Sequence, residues 1–127
     1  MIPRYVFDTG ALIAAERGKA RAARFLRLSH VGAARLVVPL PVIAEWWRGR
    51  TDQREEILAT AEIIASVAIT KAAGVALSKI KDVDSRLTVD AIVIATAALL
   101  DAVIVTQDPK DFERLGAHFP GVVVLSV

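Results

Sequence analysis

The chain has 127 residues, 54% of them hydrophobic, 24% charged and 6% aromatic, with a net charge of +2 and no cysteine. That length fits a single domain over residues 1–127 whose core needs no metal or disulfide staple. The mixture of charge and hydrophobicity excludes a disordered chain, and the lack of cysteine excludes disulfides, thiolate metal sites and thiol nucleophiles. No apolar run reaches the roughly 18 residues of a membrane span. The opening Met-Ile-Pro-Arg-Tyr-Val-Phe-Asp has no apolar signal region, so no membrane association and a cytoplasmic location are expected. Residues 1–54 carry ten Lys/Arg against four Asp/Glu, a net +6, and residues 55–127 carry six against ten, a net −4. A basic half suits an anionic partner such as nucleic acid, although a solvated helix face gives the same count.

In chain order, Tyr5-Val6-Phe7 predicts a strand ending at Asp8. Asp8 or Thr9 then caps a helix over Ala11–Arg17 that stops at Gly18. Lys19–His30 predicts a second helix, Arg35–Val38 a strand closed by Pro39, and Pro41–Arg48 a helix ending at Gly49. Thr51 opens a helix to about Thr60, Ile63–Ile69 reads as a strand, and Lys71–Lys81 as a helix. Asp82–Leu87 is a polar loop, after which Thr88 caps a long helix over Val89–Leu100. Val103–Thr106 is a buried strand, Asp108-Pro109-Lys110 starts a short helix ending near Gly116, and Val122–Leu125 is a last strand. Val/Ile-rich strands alternating with helices indicate a parallel sheet covered on both faces. Ligands of such sheets bind at the carboxyl ends of the strands, which directs attention to Asp8 and Asp108.

Four acids sit at the edges of apolar runs, where a lone charge is costly to desolvate: Asp8, Glu45, Asp90 and Asp108. Singly, each has a structural explanation. Asp8 and Asp108 suit N-caps, Asp90 suits the first turn of its helix, and Glu45 suits a pair with Arg48. Jointly they do not, because two carboxylates about 4 Å apart repel by roughly 4 kcal/mol at an effective dielectric of 20. A convergent cluster needs protons or a cation, and with no Cys and no His pair that cation is Mg²⁺ or Mn²⁺. Phosphodiester hydrolysis is the reaction class such ions suit.

Asp8-Thr9-Gly10-Ala11-Leu12-Ile13 after an N-terminal strand resembles the opening motif of PIN-domain nucleases. Pro41-Val42-Ile43-Ala44-Glu45 is similar to the segment of their second acid, and Asp90–Ala97 to their third-acid helix. Thr106-Gln107-Asp108-Pro109-Lys110-Asp111-Phe112 resembles their closing motif, with Asp108 at the fourth acid. The short single domain is most like VapC-type toxins of toxin–antitoxin pairs. The resemblance implies a three-layer α/β/α sandwich with a mostly parallel central sheet and Mg²⁺- or Mn²⁺-dependent endoribonuclease activity. It also implies a homodimer, and an antitoxin whose tail covers the acidic pocket.

Carried across, Asp8, Glu45, Asp90 and Asp108 hold the metal, with Thr9 and Thr106 supporting the pocket by hydrogen bonds. Asp111 is read as a helix acid with a supporting place. Of Trp46 and Trp47, one ring is expected in the core and the other free to meet a partner. His30 and His118 are expected at the surface, leaving no hydrolase triad. Arg17, Arg21, Arg24 and Arg27 fall on one arc if the helices run on past Gly18, and with Arg86 they are candidate contacts for RNA or antitoxin. A non-cleaving RNA- or protein-binding module on the same fold is the alternative. A phosphoacceptor receiver domain fits poorly, since Asp8 is followed by Thr-Gly and no Lys follows the late strand.

Overall fold

Short β-branched and aromatic runs become strands where helices cover both of their faces. In the computed structural model, which describes Met1–Val127, these strands are β1 (Arg4–Phe7), β2 (Arg35–Pro39), β3 (Glu62–Ile64), β4 (Val103–Thr106) and β5 (Val124–Ser126). They form one sheet in the order β3-β2-β1-β4-β5, every pair parallel. Val6 lies opposite Val37 on one side and Ile104 on the other, and all three are fully buried. Continuous burial along central strands is what a sheet packed on both faces produces.

The helices are α1 (Thr9–Glu16), α2 (Ala20–His30), α3 (Leu40–Trp46), α4 (Asp52–Thr60), α5 (Val67–Leu77), α6 (Ser85–Leu100) and α7 (Glu113–Gly116). From β1 the chain steps outward to β2 and β3, then returns past β1 to β4 and β5. Right-handed crossovers in opposite directions place their helices on opposite faces. Accordingly α2 packs with α1 and α4, whereas α6 packs with α5 and α7, which is the expected α/β/α sandwich. In α6, Ala91, Ala95 and Ala97 are buried, and these small side chains let the helix lie close over β1, β2 and β4.

Several boundaries differ from the sequence-based expectation. β3 stops at Ile64, and the Ser66 side chain accepts from Ile69 N at 3.2 Å, so α5 begins at Val67 instead of Lys71. A serine cap before an Ala-rich stretch favours helix over a continued strand. Asp84, not Thr88, caps α6: its Oδ1 accepts from Leu87 N at 2.8 Å, while the Thr88 hydroxyl donates to the Asp84 carbonyl. The segment 85–87, expected as loop, is therefore the first turn of α6. The last strand starts at Val124, where pairing with β4 begins. Gly18 (φ +73°) and an extended Lys19 break the path between α1 and α2, so Arg17 does not share an arc with Arg21, Arg24 and Arg27.

Candidate active site

The chain leaves β1 and β4 towards opposite faces, so the topological switch point lies between these two neighbours, where open α/β sheets bind ligands. Both strands deliver polar side chains to that point. Asp8 follows β1, and its Oδ1 accepts from Ala11 N at 2.8 Å, capping α1. Its Oδ2 accepts from Thr106 Oγ1 at 2.5 Å, a bond that crosses the switch point. Thr106 Oγ1 also accepts from Asp108 N at 3.1 Å. Because Asp8 does the capping, the Thr9 hydroxyl is free to donate to Glu45 Oε1 at 2.7 Å, tying α1 to α3. The expected Glu45–Arg48 pair does not form.

A cleft of about 600 Å³ opens above this point, lined by Asp8, Glu45, Asp90, Asp108 and Asp111 together with the two threonines. Asp90 comes from the second turn of α6, beyond the first turn where the helix dipole would account for it. Burial, joined by the charges of Asp111, Asp8 and Glu45, pushes the Asp90 carboxyl up to about 7 against the pull of Arg86. Burial also raises Asp8; hydrogen bonds from Thr106 and Ala11 oppose the rise, and the charges of Asp111 and Glu45 add to it. These carboxylates cannot all ionise cheaply in one cleft. They share the cleft without forming a finished cage, since no three acids stand as ready ligands of one ion.

The two acids of the closing motif are placed differently. Asp108 is exposed at the lip and makes no side-chain cap bond to the 3₁₀ turn over Pro109–Phe112. Asp111 is half-buried beside the anchored Phe112, and its charge is the one that reaches Asp90 and Asp8. Asp111 Oδ2 also lies 3.8 Å from the Arg86 guanidinium, so Arg86 already has a counter-charge. Arg17, Arg48 and Arg54 line the cleft as well, whereas Arg21 and Arg24 stand exposed on α2 and are not part of its lining.

Two supports beside the cleft escaped the sequence reading. Glu16 Oε1 accepts from Trp46 Nε1 at 2.9 Å and from Arg54 Nε at 3.0 Å, and Oε2 accepts from Arg54 Nη2 at 3.0 Å. The bond from Arg54 holds Glu16 below the usual carboxylate range. This clasp joins α1, α3 and α4 next to Glu45, with Trp46 buried and Trp47 half-buried edge-on against it. Secondly, Gln107 donates to the Gly10 carbonyl and accepts from Lys19 Nζ at 3.0 Å, bracing the opening motif against the closing one. These partners are 30 to 97 residues apart, so no local pattern marks them. His30 is exposed, His118 is half-buried and neither lines the cleft.

An all-parallel sheet with acids gathered at its switch point defines an open α/β protein with an acidic cleft. The family model for the PIN domain matches residues 5–117. The chain belongs to the PIN-domain family. Its fold is similar to that of VapBC2 from Rickettsia felis bound to a promoter DNA fragment (18% identity, TM-score 0.71, 98% of each chain covered). It is also similar to DNA-bound VapBC from Salmonella typhimurium (18%, 0.67, 99% of this chain and 98% of that one). VapBC-1 from nontypeable Haemophilus influenzae matches at 19% identity, TM-score 0.63 and 97% of each chain. None of the curated protein sequences matches this chain.

Proposed function

We propose that this PIN-domain protein is a metal-dependent endoribonuclease and the toxin of a type II toxin–antitoxin pair, hydrolysing RNA phosphodiester bonds. The observation that carries the proposal is the convergence of mutually repelling carboxylates, from separate elements, on one cleft at the switch point. An all-oxygen, negatively charged donor set fits a hard divalent cation. Asp8, Glu45, Asp90 and Asp108 hold Mg²⁺, or Mn²⁺ in its place, and Asp111 adds its charge from the 3₁₀ turn. When bound, such an ion supplies positive charge at the phosphodiester and makes water a better nucleophile.

The chain's own groups do the remaining work. Thr106 and the Ala11 N–H fix both oxygens of Asp8, and Thr9 fixes one oxygen of Glu45. Burial and the neighbouring acids favour the protonated Asp90 carboxyl in the metal-free cleft, and a cation bound there would favour its ionised form. Arg17 and Arg48 at the rim meet phosphates flanking the cut. The likeness to VapBC complexes supports an antitoxin partner; its encoding by a neighbouring gene and action in the cytoplasm complete the proposal. No helix is long and apolar enough to cross a membrane. A homodimer is part of the proposal, and the apolar groove of about 380 Å³ beside Leu40 and Val67 suits it.

Purified protein is expected to cut RNA with Mg²⁺ or Mn²⁺ and to stop in excess chelator; undiminished cutting in chelator overturns the reading. One alternative is a module on the same fold that binds RNA or protein without cutting. That alternative predicts intact RNA with saturating Mn²⁺.

A further inference from the structure

Five of the chain's eleven arginines stand in ion pairs: Arg4, Arg35, Arg50, Arg54 and Arg86. Four of the other six, Arg17, Arg21, Arg24 and Arg27, crowd into one stretch with Lys19, whose amine bonds the neutral Gln107. α2 itself contains no acid. Its inward face is apolar, with Ala22 buried and Phe25 and Leu26 packed on the core, while Arg21, Arg24 and Arg27 are exposed. Like charges three residues apart on a helix repel one another, and none of the three stands in an ion pair.

The segment that leads into this face lines the active-site cleft. Arg17 and Gln107 both line the cleft, and the Lys19–Gln107 bond pins the entry to α2 against it. From Arg21 to Arg27 the helix advances about 9 Å, the length of two to three phosphates at roughly 3.4 Å per stacked nucleotide. Among the exposed residues of α2 there is no large apolar side chain, whereas protein interfaces are built around an apolar or aromatic centre. A polyanion that needs charge and no apolar anchor matches this face better than a protein does.

We infer that α2 is a track for single-stranded RNA: the strand leaving the acidic cleft runs past Arg17 and lays its phosphates along Arg21, Arg24 and Arg27. The inference rests on the proposed ribonuclease activity and extends it. The footprint spans several nucleotides beyond the cut, held by charge with no reading of bases. Arg17 belongs to the track as the residue joining cleft to helix, although it lies outside α2.

The test measures binding of single-stranded RNA of about 12 nucleotides by fluorescence anisotropy in chelator, across a range of salt. The triple variant Arg21→Gln/Arg24→Gln/Arg27→Gln is expected to bind about tenfold or more weakly, with the log–log salt slope reduced by about 2, from roughly 0.7 per lost phosphate contact. Arg24→Gln alone is expected to reduce it by about 0.7. The control Lys71→Gln/Lys79→Gln/Lys81→Gln removes equal charge from exposed residues elsewhere and is expected to leave the slope in place. An unchanged slope in the triple variant, with wild-type protein still cutting RNA in Mg²⁺, overturns the track and leaves the ribonuclease reading standing. Wild-type protein that neither binds nor cuts RNA overturns both. A polyglutamate peptide bound by wild-type protein and lost in the triple variant, with the RNA slope unchanged, overturns the track in favour of an acidic protein segment.

Discussion

Asp8 is satisfied at both oxygens yet raised by burial and by its acidic neighbours, so its charge is tolerated more than stabilised by the metal-free fold. Asn caps a helix as well as Asp does and can accept the same bond from Ala11 N. Asp8→Asn is therefore expected to abolish RNA cleavage while leaving stability within about 1 kcal/mol of wild type, or higher. A cleavage assay paired with a thermal melt checks both halves. Asp90 makes the pH dependence explicit. Its folded-state pKa, about 7, lies above that of an exposed carboxyl, so between about pH 4 and pH 7 the folded chain holds a proton that the unfolded chain has lost. Stability then falls as pH rises through that window, and the cost is fully present above it. Metal-free wild-type protein is expected to melt lower at about pH 8 than at about pH 5.5, and Asp90→Asn to flatten much of that difference. Scanning fluorimetry in chelator reads it, and a wild-type to variant gap that shrinks with rising pH contradicts it.

Caps, more than periodicity, set where the elements begin. Asp84 stands four residues ahead of Thr88, the cap expected from the sequence, and both residue types make N-caps. The choice falls to Leu87, which is buried and packs only if the helix already includes it. Asp84→Ala is thus expected to cost about 1 kcal/mol of stability and Thr88→Ala clearly less, measured by denaturant unfolding; the reverse order contradicts the cap assignment. The start of α5 shows the same physics, because Ser66 ends an apolar stretch that by composition continues as strand. Where a single glycine punctuates two helical runs, as at Gly18, the pattern marks the break but not the angle across it. Arg17 therefore precedes α2 and does not continue its helical face. The Glu16–Arg54–Trp46 clasp has no sequence signature at all, being a product of how α1, α3 and α4 pack.

At the scale of the molecule, the parallel sheet was legible because its central strands carry continuous apolar runs, and the cleft because Asp8 follows β1 and Thr106 ends the neighbouring β4 at the switch point. That Asp111 is half-buried while Asp108 is exposed was not legible. It depends on which way the 3₁₀ turn faces, and buried Phe112 settles that by bringing Asp111 inward. The result is a molecule with basic residues on α2 and around the rim of a cleft whose floor is acidic. Such a floor lowers the stability of the metal-free protein, so a cation that relieves the repulsion must raise the stability of the whole fold. At a hundredfold excess over its dissociation constant, a ligand bound only by the folded state adds about 2.7 kcal/mol, which for a domain of this size is a rise of about 10 °C in melting temperature. Mn²⁺ titrated into chelator-free protein without RNA is expected to produce a saturating rise of that order. The rise should be larger at about pH 8, where Asp90 is already ionised, than at about pH 5.5, where the cation must first displace its proton. Asp8→Asn should remove most of it. A wild-type melting temperature indifferent to Mn²⁺ at both pH values would mean that these acids hold no ion, whatever the chain does to RNA.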